Sequence, residues 1–332
     1  MNLRFRKSGV NRSLRWGLAL LGALAFCAAF ADFLAPYSPA EQHRDYPFAP
    51  PAGQNRDRGS DYPFRLFVSG YEYRLFGLIP CRLHLFGADD PARLFILGTD
   101  ALGRDIFSRL LYGARLSLTI AAVALLISFP LGLFIGTLAG YYGGAADFIG
   151  MRLIELFLAL PALYLIIALR GALPLDLEPE RVFLAMVAVI ALLGWAHLAR
   201  VVRGMTLSLR ERDFVRAAVA LGASDWRVMR KHILPQLTGF TLTQAALAAP
   251  GYILAEVTLS YLGLGVQEPV PSWGNMLSAA QSVQVMSDHW WNLAPAVAIF
   301  ITSLTFHLLA EGLKKRFDPH LQEREMTPQL LS

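Results

Sequence analysis

Arg216-Ala217-Ala218-Val219-Ala220-Leu221-Gly222-Ala223-Ser224-Asp225-Trp226-Arg227-Val228-Met229-Arg230-Lys231-His232-Ile233-Leu234-Pro235 is a basic stretch set between two apolar segments, each long enough to cross a bilayer. Good helix formers at 216–218 and 220–221 predict a short helix over Phe214 to Leu221. Ala217 and Ala218 are small, so another surface can approach closely. Gly222 permits a positive φ and so a sharp turn. Ser224 or Asp225 can cap a second helix, which carries Arg227, Arg230 and Lys231 beside Trp226, Val228 and Met229. Pro235 has no backbone N–H and is expected to end that helix before the next apolar segment. On composition alone this is a basic helix resting on anionic lipid. A surface helix–turn–helix able to plug into a soluble partner is the sharper reading.

The flanking chain supports a membrane setting. Of 332 residues, 55% are hydrophobic and only 17% charged, against about 25% charged in soluble domains. The mean hydropathy is +0.43. A bilayer core takes about 20 apolar residues per helix. Six stretches qualify: 16–35, 116–140, 151–171, 182–202, 238–262 and 290–312. The expected fold is therefore an all-α integral membrane protein, with 115–313 as its transmembrane core.

Lys and Arg in short loops set orientation. The tail 1–15 holds Arg4, Arg6, Lys7, Arg12 and Arg15 without an acid, and the tail 314–332 begins Lys314-Lys315-Arg316. The 203–237 loop is likewise basic, whereas 263–289 has no Lys or Arg and the 173–181 turn carries Asp176, Glu178 and Glu180. Both tails and 203–237 are thus expected in the cytoplasm. The net charge of +5 reflects this orientation, and basic residues spread over separate loops argue against a nucleic-acid face. The basic start, apolar run and Ala29-Phe30-Ala31 also imitate a secretory signal, features shared with a retained first span. Cys27 falls in the first span and Cys81 in the outer segment, so they are not expected to pair.

A polar excursion, 36–114, separates the first two spans and is expected outside the cell. Its aromatics, including Tyr71-Glu72-Tyr73-Arg74-Leu75-Phe76, suggest a small folded element with short strands rather than disorder. It closes in an amphipathic segment at 106–111, with Thr99, Asp100 or Asp105 as candidate caps. Gly132, Gly136 and Gly140 recur every fourth residue in the second span and read as tight packing within the monomer. Helix breakers and ionisable groups recur elsewhere: Glu155 and Pro161 in the third span, Pro250, Gly251 and Glu256 in the fifth, Pro295 and His307 in the sixth. Breakers in several spans point to a bundle lining a pathway. Glu155, Pro161, Pro250, Gly251 and Glu256 are the pathway candidates. For Glu155 and His307 the plainer reading is reach to water at a span end.

No GxxxxGK[ST], GxSxG or HExxH sequence occurs, and the seven His residues have no ligand spacing. The chain is not expected to be an enzyme, to hydrolyse ATP or to hold a metal.

The opening stretch resembles the cytoplasmic loop signature of ABC importer permeases, Glu-Ala-Ala-x-x-x-Gly followed by Ile-x-Leu-Pro. Ala217, Ala218, Gly222, Leu234 and Pro235 match in register, Arg216 stands in place of the Glu, and His232 in place of the Ile. Leu97-Gly98-Thr99-Asp100, Gly103-Arg104-Asp105, Tyr112-Gly113-Ala114-Arg115, Gly140-Tyr141-Tyr142-Gly143-Gly144, Leu259-Ser260-Tyr261-Leu262-Gly263-Leu264-Gly265 and Pro271-Ser272-Trp273-Gly274-Asn275-Met276-Leu277 are similar to the dipeptide/oligopeptide/nickel group, and to the second of its two permease subunits. The resemblance covers 97 to about 320 plus the first span; the 40–95 insertion is longer than is common there. It implies a six-helix type I permease that pairs with a homologous permease, two cytoplasmic ATPase subunits and an extracytoplasmic solute-binding protein. ATP and Mg would be bound by the ATPase partners, with no cofactor in this chain. Arg216, Ala217, Ala218, Gly222, Ala223, Ser224 and Asp225 are the implied ATPase-coupling residues, and the implied cargo is peptide, with nickel or another solute as the alternative. An ion-driven transporter using Glu155, Glu256 and His307, or a membrane-anchored assembly protein acting through 36–114, are the rival classes.

Overall fold

The structure is a computed structural model that describes residues 12–52, 64–75, 77–88, 93–159, 161–172, 174 and 178–317. Arg4, Arg6, Lys7, Asp176 and the tail after 317, all used above for orientation, lie outside the described residues. The chain begins with α1 (Arg12–Ala29) and a single turn, α2 (Ala31–Leu34). An antiparallel hairpin follows, β1 (Arg65–Leu75) and β2 (Ile79–Gly87), running in register from Arg65↔Gly87 to Leu75↔Ile79 with a bulge between Ser69 and Tyr73. The rest is helical: α3 (Ile106–Tyr142), α4 (Gly144–Ala159), α5 (Ala162–Gly171), α6 (Pro179–Arg210), α7 (Asp213–Ala220), α8 (Asp225–Val228), a π turn at Met229–Ile233, α9 (Leu234–Tyr261), α10 (Trp273–Ser278), α11 (Val283–Asp288), a 3-10 turn at Trp290–Leu293, and α12 (Ala294–Phe317).

Four helical stretches among the described residues are long and apolar enough to cross a membrane: Arg12–Ala29, Ile106–Tyr142, Pro179–Arg210 and Trp290–Phe317. The predicted third span is divided. Pro161 cannot donate a backbone hydrogen bond, and the helix stops at Ala159 and restarts at Ala162. The predicted fifth span corresponds to the 28-residue α9, which has the length but is not among the four apolar stretches. The amphipathic segment at 106–111 is no separate helix. It runs unbroken into α3, whose 37 residues extend about 55 Å at 1.5 Å per residue.

The core forms where α3 lies against α6. Gly132, Gly136 and Gly140 face Trp195, Ala199 and Arg203 turn for turn. A Cβ at each would sit 2.6, 2.5 and 2.6 Å from the carbonyl oxygens of those residues, so only glycine permits this approach. The expected packing within the monomer is therefore observed. α9 joins the pair through Tyr252, whose hydroxyl lies 2.8 Å from Ser128 Oγ.

The expected end of the helix before Pro235 is not seen. The π turn widens the helix at Met229–Ile233, and Pro235 follows it in the first turn of α9, where the wider turn accommodates its missing N–H. The path from α8 into α9 is continuously helical.

Beyond the apolar end of α3, side chains clamp the 93–109 segment. Asp105 caps α3 by accepting from the Ser108 backbone N at 2.8 Å and from Ser108 Oγ at 2.6 Å. Arg104 donates to Asp100 at 2.7 Å and to Glu268 at 2.6 Å, and Arg109 to the other Glu268 oxygen at 2.7 Å. Ser272 and Asn275 form a reciprocal capping box on α10, and the buried Trp273 indole donates to the Leu110 carbonyl at 3.1 Å. Cys27 and Cys81 are both free.

Candidate functional site

The stretch that opened the sequence reading forms a knob at the end of the bundle. α7 has one buried residue, Val215, 1% exposed. It packs into a cluster with Val228, Met229, Ile233 and Leu237 of the next elements, Leu198 and Val202 of α6, and Phe129 and Tyr141 of α3. Ala218 and Ala223 are half-buried against the same cluster. Around this buried base lie exposed apolar side chains: Phe214, Val219, Leu221 and Trp226 are 43%, 50%, 88% and 58% exposed. Four large exposed apolar side chains close together make this a candidate interaction surface.

Gly222 has φ +80°, the left-handed conformation that an L side chain resists, and open space where a Cβ would lie. It turns the chain from α7 to α8 and leaves Leu221 at the apex. Ser224 occupies the N-cap position of α8 without a side-chain cap bond. Asp225 instead accepts from the Tyr141 hydroxyl at 3.0 Å, and Arg210 Nη1 donates to the Tyr141 carbonyl at 2.9 Å. Tyr141 thus ties together the ends of α3 and α6 and the start of α8.

Arg216 hydrogen-bonds Glu211, and this contact holds the Glu211 carboxyl below the usual carboxylate range. The charge that Arg216 brings is thereby paired within the chain. Sequence reasoning missed Glu211 and Tyr141 as parts of this surface. Glu211 stands five residues ahead of Arg216, and Tyr141 reaches Asp225 from 84 positions away. A second missed clamp is Arg203, which grips both Asp147 oxygens at 2.8 and 2.5 Å.

The pathway candidates fall on two separate groups of elements. Glu155 is on the exposed side of α4, paired with Arg152 at 2.8 Å, and Pro161 is exposed at the α4–α5 break. Pro250 is half-buried within α9, and Gly251 is exposed with nothing within 4 Å of a Cβ position. Leu247, Gly251, Leu254 and Tyr261 share that uncovered side of α9. Glu256 is on the other side and fully buried, accepting from Ser117 Oγ at 2.5 Å and Ser260 Oγ at 2.7 Å. Its carboxylate joins α9 to α3. No group of three or more His, Cys, Asp or Glu suited to a metal ion occurs among the described residues.

The arrangement is that of a membrane helix bundle with a rigid knob at one end. Residues 132–323 match the family described as binding-protein-dependent transport system inner membrane component, and residues 3–51 match the N-terminal TM domain of oligopeptide transport permease C. The chain is 33% identical over 313 residues to the di/tripeptide transport system permease protein DppC of Pseudomonas aeruginosa (strain UCBPP-PA14), covering 94% of this chain and 89% of that one. It is 40% identical to the dipeptide transport system permease protein DppC of Bacillus subtilis (strain 168), covering 68% of each chain. It is 38% identical to the oligopeptide transport system permease protein OppC of Haemophilus influenzae (strain ATCC 51907 / DSM 11121 / KW20 / Rd), covering 67% and 69%. The chain belongs to the binding-protein-dependent transport system inner membrane component family.

Proposed function

We propose that this chain is one of two homologous permease subunits of an ATP-driven peptide importer and lines half of its translocation pathway. The observation that carries the reading is the knob: an apolar apex at Leu221, 88% exposed, on a base whose core residues Val215, Val228, Met229 and Ile233 are at most 3% exposed. Such a part transmits force and does not absorb it. The names of the relatives, dipeptide, di/tripeptide and oligopeptide permeases, support peptide as the cargo.

In this reading the spans number six: α1, α3, α4 with α5, α6, α9 and α12. Both tails and 203–237 lie in the cytoplasm, and 36–114 lies outside. Two ATPase subunits, which bind ATP and Mg, supply the work, and one docks on Arg216–Ala218 and Gly222–Asp225. An extracytoplasmic binding protein delivers the peptide. Closure of the ATPases moves the knob, and the helical join through Met229–Ile233 carries that motion into α9 as a rigid body. Glu155 and Pro161, with Pro250 and Gly251, face the pathway. Glu256 supports it from behind by fixing α9 to α3.

Cysteine cross-linking in the assembled transporter tests the reading. With the native Cys27 and Cys81 replaced by Ser, Leu221→Cys is expected to cross-link to an ATPase subunit and to resist impermeant thiol reagents added to intact cells. Labelling from outside, or no cross-link while peptide uptake continues, sinks the proposal.

A further inference from the structure

A groove of about 880 Å³ opens between α1 and α3, with α9 and α12 as its floor. Its walls are apolar and mostly small, including Ala25 and Ala28 of α1 and Ala121 and Ala122 of α3. Along α3 it runs from Arg115 to Leu125, ten residues or about 15 Å. That is one leaflet of a hydrocarbon core about 30 Å thick. The polar end carries Arg115, Asp32 and, from the hairpin, Arg74 and Gly77. Beside Gly77 the hairpin tip presents Leu78 and Ile79, 81% and 61% exposed.

The charges at the mouth form a cluster around Asp32 and Arg115. Asp32 Oδ1 accepts from Tyr112 at 2.6 Å and Oδ2 from Arg115 at 2.8 Å. Tyr71 of the hairpin bonds Tyr112 at 2.8 Å, which seats the hairpin on this cluster. Arg115 also donates to the Ala28 and Ala29 carbonyls. Arg74 is exposed and makes no ion pair among the described residues. Two guanidinium groups against one carboxylate leave a net positive mouth. With Asp32 already holding Tyr112 and Arg115, the excess positive charge at the mouth repels an ammonium group.

We propose that this groove binds one outer-leaflet anionic phospholipid of the phosphatidylglycerol type, with its phosphate between Arg74 and Arg115 and one acyl chain along α3. A lipid tail gains little hydrophobic free energy by leaving its neighbours in the bilayer. Selection therefore rests on the headgroup, where guanidinium–phosphate bonds are strong and directional. Phosphatidylethanolamine shares the phosphate but brings a cationic amine into a net positive mouth. The 65–87 hairpin, beyond its packing role, becomes the lid that makes the site.

The test uses the complex purified with its partner subunits, exchanged into nanodiscs of equal phosphatidylglycerol and phosphatidylethanolamine content and examined by native mass spectrometry. One phosphatidylglycerol per copy of this chain is expected to remain bound. Arg74→Ala, at an exposed unpaired site, is expected to weaken retention about tenfold or more, the size of one lost charge-assisted bond. Ala122→Trp fills the groove and is expected to abolish it. Equal retention of phosphatidylethanolamine, or unchanged retention in either variant, overturns the proposal. So does a quantitative disulfide between Ala122→Cys and the second permease, which would show a subunit filling the groove. None of these readouts depends on which solute is transported.

Discussion

Glu256 has no exposed surface and accepts from Ser260 on its own helix and Ser117 on α3, with the Ser272 hydroxyl as a further partner. Removing the carboxylate leaves these hydroxyls without their acceptor and a gap beside them. Glu256→Ala is expected to destabilise the purified complex by about 1–3 kcal/mol, read as a lower melting temperature. Glu256→Gln, which still accepts hydrogen bonds, is expected to keep most of the stability; equal damage from both would show that charge, not bonding, matters there. Asp105 makes a pH prediction. Burial pushes its carboxyl up to about 6 against the opposing pull of the Ser108 bonds, with the nearby Asp100 adding to the rise. The folded protein therefore favours the protonated form. That contribution is fully present below the ordinary value of 3.8 and is lost as pH rises through about 6. Its full size is about 3 kcal/mol at 1.36 kcal/mol per pH unit. Melting of the wild type minus Asp105→Asn is expected to slope downward between pH 4 and 6 and to be flat above 7. A flat difference throughout would contradict it.

Among the elements, α7 and α8 with the π turn behave as one piece. Val215, Val228 and Ile233 are buried together, Tyr141 clamps the base, and no loop separates α8 from α9. Gly222 is the weak point of shape, not of packing, because only its positive φ constrains it. Gly222→Trp or Ala217→Trp is expected to leave assembly of the permease pair intact while reducing peptide uptake at least tenfold and uncoupling ATP hydrolysis from it. Normal uptake in Gly222→Trp would remove the docking role. α3 and α6 are the rigid counterpart, joined through three glycines whose spacing matches the facing carbonyls. The α4–α5 break is of a different kind, since Pro161 interrupts the helix beside the Arg152–Glu155 pair. That pair is expensive on a surface facing hydrocarbon, which favours a pathway or subunit interface there.

For the molecule as a whole, the proposal separates the motor from the path. The purified chain alone is expected to show no ATP turnover, and the complex with its ATPase subunits to show turnover stimulated by a peptide-loaded binding protein. Turnover by the isolated chain would overturn the assignment of work to the partners. Much of this organisation is local in origin and legible from the chain. The four-residue glycine spacing, the turn at Gly222 and the apolar length of four helical stretches each depend on residues close in sequence. The same holds for the Asp105 cap and for strands in the aromatic-rich segment. The partners of Glu256, Asp225 and Asp32 were not legible, because Ser117, Tyr141 and Arg115 lie 139, 84 and 83 positions away. Nor was the continuous helix through Pro235, where a π turn held by buried Met229 and Ile233 outweighs the proline's local preference. Propensity and hydropathy act between neighbours along the chain. Burial and pairing depend on which distant segments meet, and the lipid groove, walled by four helices and roofed by a hairpin, exists only after they have met.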